Sequence, residues 1–159
     1  GASSGLDIVD SHITGPDNST GRFHIYWDST WAFYNATNAY TCGNCSQSQK
    51  ADNVSLDDDD GAPGTETVTI PTDSWRSGTY RYSAHDYSNK ASTSTTKFAE
   101  SGTTVTVYYG DTEPRTYNVP NSAGNLWTVF TIDGSSKVVT TVNGMSAVVG
   151  SSSGSATIE

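Results

Sequence analysis

Leucine, cationic side chains and long apolar runs are what this 159-residue sequence has least of. Leucine occurs only at positions 6, 56 and 126, while Thr, Ser, Gly, Asn, Val and Tyr dominate, a balance that favours strands and turns over helices. Lys and Arg together number eight against seventeen Asp and Glu, for a formal net charge of −9. With no basic patch, nucleic acid is excluded as a partner, and so is an anionic membrane surface. No apolar stretch approaches the ~20 residues of a membrane span, so no membrane insertion is expected. Only two cysteines occur, Cys42 and Cys45, in a CxxC spacing. A redox motif, half a zinc site and a small disulfide loop are the readings of such a pair. No second pair completes a four-thiolate zinc site, and no βαβ pattern surrounds it. A local Cys42–Cys45 disulfide in a secreted protein is therefore expected. There is no G-x-S-x-G elbow. Ser11 and His12 are neighbours on a strand and so point to opposite faces. The acids gather in one loop instead of flanking a cleft as glycosidase pairs do. No catalytic residues and no enzymatic activity are expected.

What the chain has in quantity is alternation. Phe23, Ile25 and Trp27 share one face of 22–27. Strands are expected at 6–14, 22–27, 67–70, 79–87, 103–109, 115–120 and 126–132, with a further one at 137–142 after the Asp133-Gly134 hairpin signal. Trp31 to Ala36 reads as a short strand or an aromatic loop, 37–53 as a long polar insertion. No helix and no internal repeat is visible. The expected fold is a single all-β domain, an antiparallel β-sandwich of jelly-roll type spanning 6–149. Residues 1–5 are expected to be a linker or processing remnant, and 150–159 a Ser/Gly-rich linker or tail. That places the module, as a monomer, within a multidomain chain. A hairpin centred on Asn18 would set His12 opposite His24, Asp10 opposite Tyr26 and Ile13 opposite Phe23.

Four consecutive aspartates, Asp57, Asp58, Asp59 and Asp60, precede a Gly/Pro turn that returns to Glu66. Five carboxylates in one loop suit calcium, a hard cation that takes six to eight oxygens. The alternative is a solvated acidic loop. The spacing is not that of an EF-hand. Four Asn-x-Ser/Thr sequons, at Asn18, Asn35, Asn44 and Asn53, would be glycan acceptors in a eukaryotic secretory protein.

Several short signatures run in one order: Asp10-Ser11-His12-Ile13-Thr14-Gly15-Pro16, Phe23-His24-Ile25-Tyr26, Leu56-Asp57 with Asp59-Asp60, Gly64 with Glu66-Thr67-Val68-Thr69-Ile70, Gly78-Thr79-Tyr80-Arg81-Tyr82, His85-Asp86-Tyr87-Ser88 and Trp127-Thr128-Val129-Phe130-Thr131-Ile132-Asp133-Gly134. Over roughly residues 6–144 the chain resembles a β-sandwich family of unknown function found in large secreted and surface-anchored bacterial proteins. That family looks akin to pre-peptidase C-terminal domains and to peptide- or sugar-binding modules of adhesins. The chain departs from the pattern before the first motif, where Gly1 to Gly5 stand in place of the family's apolar strand, at Asp58, where the family has an apolar residue, and in the Cys-bearing insertion. The resemblance implies an extracellular location and a role in adhesion or ligand binding.

All three histidines, His12, His24 and His85, fall on these signatures, and Asp10 shares a strand face with His12. Imidazole with carboxylate suits zinc or a similar ion better than calcium. A hydrogen-bonded structural cluster and an acid/base pair are the other readings. Trp31, Phe33, Tyr34 and Tyr40 are candidate ligand-stacking rings, with core packing as the alternative. The sequence thus points to an extracellular calcium-binding module that binds a glycan or peptide. Its alternatives are a structural spacer and a metal-dependent enzyme using the histidines.

Overall fold

Alternation becomes strand wherever β-branched and aromatic residues recur at period two. The computed structural model describes residues 9–16, 22–26, 29–34, 54–57 and 64–148, and at Arg22, Phe23 and 29–34 the backbone alone. These residues hold ten strands: β1 (Val9–Thr14), β2 (Arg22–Tyr26), β3 (Ser29–Tyr34), β4 (Ser55–Asp57), β5 (Thr67–Thr69), β6 (Thr79–Asp86), β7 (Thr104–Val107), β8 (Arg115–Asn118), β9 (Leu126–Asp133) and β10 (Val139–Ser146). Six of them form one sheet in the order β10-β9-β6-β1-β2-β3. Every neighbouring pair in it is antiparallel. The pairs β4–β5 and β7–β8 are separate two-stranded hairpins. The all-β, antiparallel expectation holds.

The central strands are buried on both faces, β1 from Asp10 to Thr14 and β6 from Ser83 to Asp86. One face is apolar. There Ile13, Ile25, Tyr80, Ala84, Trp127, Phe130 and Ile132 form a cluster with Val54 and Leu56 from the first hairpin region and Tyr117 from the second. Tyr82 stacks on Phe130 with ring centres 5.3 Å apart. Each large side chain so buried stabilises by roughly 1.5–3 kcal/mol. The opposite face carries Asp10, His12, Thr14, His24, Ser83 and His85, all buried.

Two local devices hold the sheet ends. The Asp133 carboxylate accepts hydrogen bonds from the Ser135 and Ser136 amides and the Ser136 hydroxyl, closing the β9–β10 turn. The bonds from Ser136 hold its carboxyl below the usual range. Gly134 packs so close to the Arg76 carbonyl that a Cβ would overlap it. At the other end Asn125 exchanges side-chain hydrogen bonds with the Val148 backbone, both at 2.8 Å.

Three expectations need correction. The β1–β2 register pairs Ile13 with Ile25 and Thr14 with His24. It differs by two residues from a hairpin centred on Asn18, so His12 is not opposite His24. A shift of two keeps every side chain on its expected face, and for that reason the face assignment survives. The chain also contains a one-turn helix, α1 (Lys97–Glu100), that seats Phe98 against Trp127. Four residues are too few for a 3.6-residue period to be legible. The strand β4 was likewise not expected, being only three residues long.

Candidate metal centre

Two neighbouring antiparallel strands supply the site. Asp10 and His12 lie two residues apart on β1 and so project to one face. β6 runs beside β1 with His85 directly across from Asp10 and Ser83 across from His12. One ligand atom each from Asp10, His12 and His85 can be chosen so that all lie within 4.8 Å of one another. The three residues are 4%, 2% and 4% exposed. His12 Nε2 and His85 Nε2 are buried and make no hydrogen bond among the described residues.

Around this trio the packing is aromatic. Tyr26 stacks on the His12 ring at 5.4 Å with planes 7° apart. His24 stands across from Thr14 in the backbone register, yet its ring reaches diagonally to His12, within the reach expected of i, j±2 neighbours. His12 Nδ1 and His24 Nε2 are 2.9 Å apart. The His85 ring meets His12 edge-on at 5.7 Å and Tyr87 edge-on at 6.5 Å. The Lys90 ammonium sits 3.5 Å above the Tyr87 ring. Asp86 anchors this end of β6 by accepting from the Asn89 amide and side chain, which winds Tyr87–Asn89 into a single 3-10 turn.

Burial keeps both imidazoles neutral. His12 is held well below its ordinary pKa, first by desolvation and then by the neighbouring His24 and His85. His85 is lowered to about 4 by desolvation and by Lys90. A neutral imidazole offers a lone pair, the form in which histidine binds metals. Two imidazole nitrogens and one carboxylate oxygen suit zinc, iron, copper or nickel, not calcium. A tetrahedral zinc about 2.0–2.1 Å from each ligand would set them about 3.3 Å apart.

The other face of β1 ties in the acidic hairpin. The Ser11 amide donates to the Glu66 carboxylate at 2.5 Å, and the Ser11 and Tyr82 hydroxyls are 2.7 Å apart. Burial raises the Tyr82 phenol to about 12. Asp57 is exposed on β4 and pairs with Thr67, so the two ends of the acidic loop do return to one place. Asp58, Asp59 and Asp60 lie outside the described residues, as do Tyr40, Cys42 and Cys45. Trp31, Phe33 and Tyr34 lie on β3, the edge strand, where Phe33 pairs with Phe23 and Tyr34 with Arg22. The structure therefore gathers Asp10, His12 and His85, and sets His24 behind them as a hydrogen-bond partner. Tyr26, expected opposite Asp10, shares the face of His24 as its even spacing implies and stacks on His12; Tyr87, Lys90 and the Ser11–Glu66 link were not anticipated. Comparison with family models, curated proteins and solved structures returns no match.

Proposed function

We propose that this chain is a metal-binding β-module of a larger secreted or surface protein, and that its ion is zinc or a similar transition metal held by Asp10, His12 and His85. The observation that carries the reading is the pair of buried imidazole nitrogens without hydrogen bonds, beside a buried carboxylate. Buried polar atoms are ordinarily partnered, and an unpartnered pair calls for an explanation such as an ion. The ligands come from two adjacent strands, so the ion clips β1 to β6. Its role is binding and stabilisation rather than catalysis. An ion bound only by the folded chain adds about 2.7 kcal/mol of stability at a hundredfold excess over its dissociation constant. The test is equilibrium dialysis against zinc followed by elemental analysis. One equivalent on the wild type, lost in His12→Asn and His85→Asn, is expected. A wild type that takes up none, or variants that keep it, refutes the proposal.

A second reading concerns calcium, and the pairing of Asp57 with Thr67, the residue after Glu66, favours it by closing the acidic loop. Here calcium on Asp57, Asp58, Asp59, Asp60 and Glu66 orders the acidic loop next to a glycan- or peptide-binding surface that includes Trp31, Phe33, Tyr34 and Tyr40. The resemblance to modules of surface-anchored proteins supports the adhesive role and the extracellular location. Melting with chelator and then with calcium restored tests the ion. Glycan and peptide arrays test the ligand, and binding to neither leaves the module a structural spacer.

A further inference from the structure

The hydrogen bond between two imidazoles raises a question of direction, because one ring must donate and the other accept. If His24 Nε2 donated, His12 would carry its own hydrogen on Nε2. That N–H would then be a buried donor with no acceptor among the described residues. Orphaned buried donors are rarer in proteins than under-used acceptors. The reverse arrangement leaves His12 Nε2 as a bare lone pair, which is what a metal requires. His24 is fully buried, and its ring is braced by Tyr26 at 4.8 Å, so the acceptor is held in place.

Resting on the metal-centre reading, we infer that His24 is the positioning residue of the site: its Nε2 accepts the His12 Nδ1 hydrogen, and so fixes the His12 ring and leaves its Nε2 lone pair bare for the ion. Such outer partners fix the tautomer and the ring orientation of a ligating histidine, and losing one typically lowers metal affinity 10–100-fold. The idea separates the two buried histidine pairs chemically. His12–His24 is a bonded dyad with one end open to the ion. His85 is a second ligand with no share in the dyad.

The experiment combines zinc titration with nitrogen NMR on histidine-labelled protein. His24→Phe cannot accept the hydrogen bond, whereas His24→Gln still can. His24→Phe should bind zinc 10–100-fold more weakly than wild type, and His24→Gln should recover part of the loss. In metal-free wild type, His12 Nδ1 should be the protonated nitrogen and Nε2 the bare one. Equal affinity in His24→Phe, no recovery in His24→Gln, or a proton on His12 Nε2 would each overturn the inference. A wild type that binds no zinc but has the expected His12 tautomer would sink the metal centre and leave the His24 assignment standing. A folding role alone would lower the metal-free melting temperature without separating Phe from Gln in affinity.

Discussion

Acidification of the metal-free protein isolates the buried imidazoles. In the unfolded chain histidine titrates near 6.5, while folded His85 titrates at about 4. Between those values the unfolded chain binds more protons than the folded one. Stability therefore rises with pH in this window, is fully present above about 6.5, and is lost as pH falls toward 4. From pH 6.5 to 5.0 the loss is 1.5 pH units at about 1.36 kcal/mol each, or about 2 kcal/mol for His85. His12, lowered in the same direction by burial and by His24 and His85, adds to this loss. The His85 contribution alone, about 2 kcal/mol, is a large share of the roughly 5–15 kcal/mol that holds a domain folded, and corresponds to roughly 4–8 °C in melting temperature at this chain length. Carboxylates with ordinary values near 4 stay largely ionised at pH 5 in both states, so they contribute little to this window. The assay is denaturant unfolding at pH 7.0 and 5.0 in the presence of chelator. His85→Gln should remove about 2 kcal/mol of the difference. A wild type equally stable at both values, or a variant with an undiminished slope, would refute the reasoning.

Other outcomes follow from single contacts. Trp127→Ala empties the centre of the core and should cost about 3–5 kcal/mol, measured by denaturant unfolding. Gly134→Ala drives a methyl into the Arg76 carbonyl and should cost at least about 1–3 kcal/mol; a neutral result would show that this approach is not tight. Glu66→Ala removes the acceptor of the Ser11 amide and should cost about 1.5–3 kcal/mol, with earlier hydrogen exchange at Ser11. If Trp31 belongs to a ligand surface, Trp31→Ala should lose affinity for the glycan or peptide found on arrays and keep its melting temperature.

Much of this architecture was legible in the residues. Period-two patterning placed β1, β2, β6 and β9 to within a few residues. It also assigned Asp10, His12 and His24 to one face, because parity is insensitive to a two-residue slip. The register itself was not legible, since it depends on the turn between β1 and β2 and not on the strands. Nor was strand order. Asp10 and His85 are 75 positions apart in sequence and directly opposed in space, and only the insertion of β6 between β1 and β9 brings them together. The acidic run drew attention by its charge density, whereas the trio that the structure assembles is spread over two strands. Short elements such as α1 and β4 carry too few residues to leave a periodic trace, and owe their form to single buried anchors, Phe98 and Leu56.

The most direct measurement of the central claim is zinc X-ray absorption on protein dialysed against the metal. The account predicts nitrogen and oxygen ligands at about 2.0–2.1 Å, with the outer-shell scattering of two imidazoles that disappears in the His12→Asn, His85→Asn double variant. A shell of oxygen without imidazole, or sulfur at about 2.3 Å, would contradict it, the latter by placing the ion on Cys42 and Cys45 instead.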